Sequence, residues 1–353
     1  MSRSTGLLGI DIAYLIALIG TMFSTSFFIL GQRLFKLDHE HYYIFFDFFP
    51  ALFFFLNGLT VTLTMRDRRI SSRRLLSYLS KRGSVLFIIG LLFMKSWPMN
   101  VFIASGIFYL LAPIFAQWNN LILRTLGVVS ALMSVVMLNL DVSASITFAG
   151  LKLNGAGFSD LLGFLFFNGY YSVLPWFTFF IAGMLFGRSS LRPRGYFPPM
   201  NIAMVLGLGI AFIVENYCSQ IYGVKDAFNI VNLPLIGTKF YLPAQFIFAL
   251  CLIILLMNLV LHAFRGEQPR NQVKFLQNFS SSKYSVLFFH LFFTFLIISI
   301  STGVMFQERT MLIGTSIVVI ILSLVLVNVW KNKLSSNAPI EWIIKRISGS
   351  TKK

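Results

Sequence analysis

The sequence predicts an all-α polytopic membrane protein, a bundle of about ten transmembrane helices with both termini cytoplasmic. Three observations carry that reading. Of 353 residues, 57% are apolar and only 12% charged, where a soluble domain carries roughly a quarter charged residues. The apolar residues fall in continuous blocks of about 20, the length of a membrane-crossing helix, and do not alternate as barrel strands do. The basic residues gather in short segments between the blocks, where positive charge sets orientation.

Length and polar flanks place the spans at residues 7–31, 43–65, 83–97, 99–117, 120–140, 171–187, 199–218, 240–263, 284–304 and 310–330. The first block is too long for a cleavable signal peptide and is followed by further spans. The third is short, and Pro98 separates it from the fourth, so the two should form a tight hairpin. The segment after the second span holds Arg66, Arg68, Arg69, Arg73, Arg74, Lys81 and Arg82 against the single acid Asp67, and reads as a cytoplasmic loop. Arg188, Arg192 and Arg194, then Arg265, Arg270, Lys274 and Lys283, and finally the tail from Lys331 to Lys353, fall on the same side. The segment with His39 and His41 and the connections 141–170 and 219–239 are then external. In the tail, Pro339 opens a helix with Glu341 in its first turn. Ile340, Trp342, Ile343 and Ile344 form its apolar face, against Lys345 and Arg346, so it should lie on the inner membrane surface. No internal repeat or soluble domain interrupts the chain, which reads as one membrane domain, residues 1–353, with residues 331–353 as its cytoplasmic tail.

The net charge of +17 invites a nucleic-acid reading. No motif supports one, and topology accounts for the basic residues. Cys218 and Cys251 lie in or near spans and do not form a disulfide framework.

Chemistry is sought where a titratable group is expensive to keep. His39 and His41, flanked by Asp38 and Glu40, stand at the mouth of the second span, which carries Asp47. An imidazole there is a candidate general base or acid, with Asp38, Glu40 or Asp47 as its orienting carboxylate, Asp47 the favoured one; a solvated capping loop is the plainer reading. A metal is not expected, since two histidines two residues apart on a loop are a weak ligand signal. Asp11 lies near the cytoplasmic end of the first span. His290 sits mid-way in the ninth span and reads as a hydrogen-bonding group between helices. The arginines from Arg66 to Arg82 suit phosphate oxygens as well as anionic lipid, although no Walker loop or dinucleotide fingerprint is present.

Several segments together resemble the heparan-alpha-glucosaminide N-acetyltransferase family and its bacterial relatives. VLPWFTFFIAGMLFGR (173–188) is the most specific; GIDIAYLIALIGTM (9–22), FFPALFFFLNGLTVTL (48–63), SKRGSVLFIIGLLF (80–93) and VFIASGIFYLLAP (101–113) follow the family's order. SSKYSVLFFHLFF (281–293) and APIEWIIKR (338–346) are similar to late segments of related membrane acyltransferases. The chain departs from the pattern at Tyr14-Leu15, where the family has Arg-Gly. It departs again at Tyr109, where the family has histidine, and at Ser24-Thr25-Ser26, where some relatives carry a histidine.

The resemblance implies an integral membrane acyltransferase. It would move an acetyl or acyl group from cytosolic acetyl-CoA, its co-substrate, to an amine or hydroxyl of an extracytoplasmic glycan or lipid-linked sugar. His39 matches the family's essential histidine, with His41 the alternative, and Asp47 matches its second-span aspartate. Asp11 and some of Arg66, Arg68, Arg69, Arg73, Arg74 and Arg82 would hold the donor, and Pro175 and Trp176 would line the tunnel between the faces. Expected partners are membrane lipids, the acyl-CoA and the acceptor, with no nucleic acid and with a homodimer as an option. The rival class is a non-catalytic transporter or lipid and glycan flippase, which shares the helix count and the intramembrane carboxylates.

Overall fold

The computed structural model describes residues 8–34, 48–65, 72–94, 101–139, 165, 171, 173–189, 201–210, 213, 242–264, 276–300, 309–334 and 337–348. In chain order its helices are α1 (Leu8–Leu34), α2 (Phe48–Met65), α3 (Ser72–Phe93), α4 (Val101–Gln117), α5 (Asn120–Asn139), α6 (Val173–Ser189), α7 (Leu242–Ala263), α8 (Lys283–Ile300), α9 (Arg309–Val329) and α10 (Pro339–Ser348). A π-helical turn, Trp330–Leu334, extends α9. A further helical segment, Asn201–Ile210, falls inside the expected seventh span. The chain is an all-α membrane protein. Among the described residues, five helices are long and apolar enough to cross a bilayer: Leu8–Ser26, Phe48–Met65, Arg74–Phe93, Lys283–Ile300 and Met311–Leu334.

The third element differs from its expected bounds. It begins at Ser72 rather than 83, so Arg73, Arg74, Lys81 and Arg82 lie on a helix, not on a loop. Nothing from Ser72 to Arg82 breaks a helix: the stretch holds no Pro or Gly, and Arg, Lys and Leu are good helix formers. Leu75 and Leu79, four residues apart, are both buried and continue the apolar face below the span.

Two helix pairs approach through glycine, which brings backbones together without a hydrophobic drive between spans. On α2 and α6, a Cβ at Gly58 would strike the carbonyl oxygen of Phe180, and one at Gly183 would strike that of Phe55. On α3 and α4, a Cβ at Gly106 would stand 2.5 Å from the amide nitrogen of Phe87. The tight α3–α4 hairpin is therefore as expected.

α1 packs on α2, α7, α8 and α9, and α2 also meets α4 and α6. α2 is buried at every residue from Pro50 to Leu59, as befits a central helix apolar on all sides. Apolar side chains on α5 (Leu121, Val128, Leu132) and on α9 (Ile317, Val318, Ile321) point outward, the pattern of a lipid-facing surface.

The terminal helix forms as expected but does not simply lie flat on a membrane. α10 packs against α3 and α8, burying Ile340 and Ile344, while Trp342 stays exposed with the Arg346 guanidinium 5.1 Å from its ring. Arg188, expected only as a topological charge, gathers the end of α4. Its Nη1 donates to the Trp118 carbonyl at 2.6 Å and to Asn120 Oδ1 at 3.0 Å; its Nη2 donates to the carbonyls of Phe115 and Ala116, each at 3.1 Å. The last carbonyls of a helix have no partner within it, and a cationic fork satisfies several at once.

Candidate functional site: a buried cationic cluster

α1, α3 and α8 begin, and α2 and α4 end, at one end of the bundle. On the orientation that the charge pattern predicts, this is the cytoplasmic end. Lys283, first residue of α8, is only 3% exposed there. Its Nζ donates to the Tyr14 hydroxyl and to Asn57 Oδ1, each at 2.6 Å, and lies 3.8 Å from the Tyr14 ring centroid. Tyr14 is held in turn by Thr60, its hydroxyl 2.7 Å from Thr60 Oγ1. The hydroxyls of Tyr14, Tyr109 and Tyr284 also point at Asn57 Oδ1, at 3.3, 3.4 and 3.4 Å. These are long for O–H···O bonds. One amide oxygen has two lone pairs, so the short bond from Lys283 dominates.

Arg82 enters from α3. Its guanidinium carbon stands 4.6 Å from the Tyr109 ring centroid and 5.4 Å from that of Tyr284. Lys283 Nζ lies 5.5 Å from the centroid of the same Tyr284 ring, so the two cations share one aromatic ring. Arg82 Nη1 reaches the Tyr78 hydroxyl at 3.5 Å, while Arg82 Nε and Asn57 Nδ2 are buried and make no hydrogen bond among the described residues.

The oxygens that Lys283 meets are neutral, and the two acids among the described residues are committed elsewhere. Asp11 accepts from Ser280 Oγ, which ties α1 to the turn before α8. Glu341, from α10, accepts the Tyr284 amide at 2.8 Å and the Ser285 amide at 3.3 Å, and also bonds Ser285 Oγ. The first amides of α8 are thus satisfied by a carboxylate at the positive end of the helix dipole. Burial pushes the Glu341 carboxyl above the usual glutamate range, against the Ser285 hydroxyl and the two amides, which pull it down. Two buried cations facing neutral oxygens and aromatic rings, with an unfilled guanidinium donor beside them, form an environment built for an anion.

Of the residues singled out in the sequence, the structure brings Arg82 into this cluster and places Asp11 at its edge. Arg74 is exposed on α3, and the side chain of Arg73 lies outside the described residues, as do Arg66, Arg68 and Arg69. His39, His41 and Asp47 also lie outside them. Trp176 is buried in aromatic packing, its ring centroid 5.5 Å from that of Phe54 and 5.5 Å from that of Tyr171. His290 is fully buried, with Nε2 3.3 Å from Ser26 Oγ on α1, a hydrogen bond between helices as expected. Lys283 was missed as a site residue. Its signal was being the single charge between Lys274 and Glu308, directly ahead of an apolar run.

No protein-family model, curated protein or solved structure matches the chain.

Proposed function

We propose that this chain is a multi-pass cell-membrane acyltransferase of about ten spans, with both termini in the cytoplasm. It takes an acetyl or acyl group from cytosolic acyl-CoA and gives it to an amine or hydroxyl of an extracytoplasmic glycan or lipid-linked sugar. The observation that carries the reading is the pairing of Arg82, half-way along α3, and Lys283, at the start of α8, around the Tyr284 ring. A donor rich in phosphate needs cations there, and charge left buried without a counter-ion is costly unless a ligand supplies one. The resemblance in sequence supplies the reaction class. At two of its departures from that family the chain places members of this cluster: where arginine and histidine are replaced by Tyr14 and Tyr109, Lys283 brings an ammonium to the Tyr14 hydroxyl. His39, with Asp47 as its orienter and His41 as the alternative, remains the proposed base on the acceptor side.

The test has two arms. In detergent, acetyl-CoA at 100 times its dissociation constant should stabilise the protein by about 2.7 kcal/mol; Lys283→Met and Arg82→Gln should each weaken that shift at least tenfold in ligand concentration. Radiolabelled acetyl-CoA and envelope extracts should then give an acylated product, lost in His39→Ala or His41→Ala. If neither acetyl-CoA nor CoA shifts the wild type, the reading falls. Binding without transfer to any acceptor would instead favour the transporter or flippase, for which two buried cations serve an anionic cargo equally well.

A further inference from the structure

The bundle uses only one side of α10. Ile340 and Ile344 lie within about 40° of each other round the helix and are buried, where α10 packs on α3 and α8. Lys345, Trp342 and Arg346 cover about 100° on the opposite side, and all three are exposed. The helix sits at the level where two spans meet their polar ends. Glu341 bonds the first amides of α8, whose apolar run opens at Lys283. The span of α9 closes at Leu334, shortly before α10 starts at Pro339. In that closing turn Lys331 donates to the Asn278 carbonyl at 3.3 Å and to Ser281 Oγ at 2.7 Å. The exposed charge of these elements has one sign. Among the described residues, Arg74 and Lys81 on α3, Lys333 after α9, and Lys345 and Arg346 on α10 are exposed cations. The two described acids, Asp11 and Glu341, are both taken up in hydrogen bonds. The helix dipole explains cations in a last turn, and so explains Lys345 and Arg346. It does not explain an indole 45% exposed between them, nor Ile347 at 53% and Leu334 at 69%. Large apolar side chains set among cations at the ends of spans belong to the headgroup layer, where indole rings settle and Lys and Arg reach phosphate.

We propose that the outer face of α10 is a binding site for anionic phospholipid, with the Trp342 ring at headgroup level and Lys345 and Arg346 on the lipid phosphates. The Arg346 guanidinium carbon stands 5.1 Å from the Trp342 ring centroid. A guanidinium beside a ring still has in-plane donors for phosphate oxygens, so one pair of side chains meets both the apolar and the anionic part of a lipid. The cations alone would suit a soluble acidic partner equally well. The exposed indole, on a helix that the chain itself ties to the ends of α8 and α9, decides for lipid. Such a site serves an acyltransferase and a flippase alike, and stands apart from the reaction class. Because α10 also carries Glu341 to the amides of Tyr284 and Ser285, lipid that holds its outer face holds the cap beside Lys283 in place.

The experiment uses the full-length protein. In detergent micelles, phosphatidylglycerol should raise the thermal midpoint and phosphatidylcholine should not, since a ligand of the folded state stabilises it. A basic residue at an anionic surface is worth about fivefold in affinity. The double variant Lys345→Gln, Arg346→Gln changes two exposed side chains, so it should fold, and it should need about tenfold more phosphatidylglycerol for the same rise. A wild type that responds alike to both lipids, or a double variant that responds like the wild type, overturns the proposal. A second measurement locates the indole. The emission lost on Trp342→Phe isolates Trp342 from the other four of the five tryptophans. In nanodiscs of equal parts phosphatidylglycerol and phosphatidylcholine, a nitroxide on the lipid headgroup should quench that component by about twofold or more. A component that the nitroxide leaves unquenched places Trp342 in water, as a soluble partner would require, and overturns the lipid site.

Discussion

The carboxylate of Glu341 lies 2.8 Å from the backbone amide of Tyr284, so a helix outside the spans closes the first turn of α8, next to the buried Lys283. Removing that carboxylate leaves two amides and the Ser285 hydroxyl without their acceptor, and Ser285 Oγ also receives the Ile340 amide at 2.9 Å. Glu341→Ala should therefore destabilise the protein by about 1–3 kcal/mol, read as a lower midpoint in a detergent thermal melt. Because burial raises its carboxyl above the usual range, the folded state holds that proton more tightly than the unfolded chain. The stabilisation from this group is present in full below the ordinary glutamate range and is lost as pH rises through the folded value. The wild-type advantage over Glu341→Gln should shrink from acid toward neutral pH; an advantage that grows instead would mean that the hydrogen bonds outweigh burial.

The reciprocal contact of Gly58 and Gly183 gives a sharper test of helix packing. A methyl group at either position meets a backbone carbonyl, which cannot move aside as a side-chain tip would. Gly58→Ala and Gly183→Ala should each cost about 1–3 kcal/mol or more and lower the yield of monodisperse protein. Gly314→Ala on α9 has open space around it and should be neutral or slightly stabilising. Equal behaviour of the three in size-exclusion profiles would contradict the α2–α6 interface.

Arg188 organises four oxygens at the α4–α5 corner through two nitrogens. Lysine has the charge without the planar fork. Arg188→Lys should recover only part of the thermal stability lost in Arg188→Ala, with a loss of about 1–3 kcal/mol for the alanine variant. Full recovery would show that charge alone matters there.

Lys283 and Tyr14 share a short hydrogen bond and a cation–π contact, so their removals should not add. A double-mutant cycle of Lys283→Met and Tyr14→Phe should give a coupling of about 0.5–3 kcal/mol, measured by denaturation in the absence of any ligand. Additive losses would dissolve the cluster as a unit, whatever the protein does.

Element positions were legible because the length of an apolar block and its polar flanks are local properties. The expected fourth, fifth, sixth and eighth spans each fall within two residues of α4, α5, α6 and α7 at both ends. The start of α3 was not legible in that way: Arg73, Arg74, Lys81 and Arg82 look like a loop to any criterion that equates charge with water. The helix continues because Leu75 and Leu79 bury against the rest of the bundle. Lys283 was missed by the same rule. A cation at the edge of a span reads as a topological marker, and only the neighbouring helices reveal that Tyr14, Asn57, Tyr109 and Tyr284 surround it. Tyr14 and Tyr109 stood out in the sequence only as departures from a family pattern. Their common meeting point, Asn57, carried no signal of its own.

The bond from Glu341 back to Tyr284 spans 57 positions of the chain. During synthesis α8 therefore reaches the bilayer well before the group that completes its first turn has left the ribosome. Lys283 must enter a hydrocarbon environment with that turn still open, and α10 docks only after the residues between Tyr284 and Glu341 have been made. The end of the bundle that α10 closes thus sets after α8 has entered the bilayer. A nascent chain arrested ahead of Glu341 should hold α8 in a state that protease or a translocation-coupled quality-control factor can still distinguish from the finished protein.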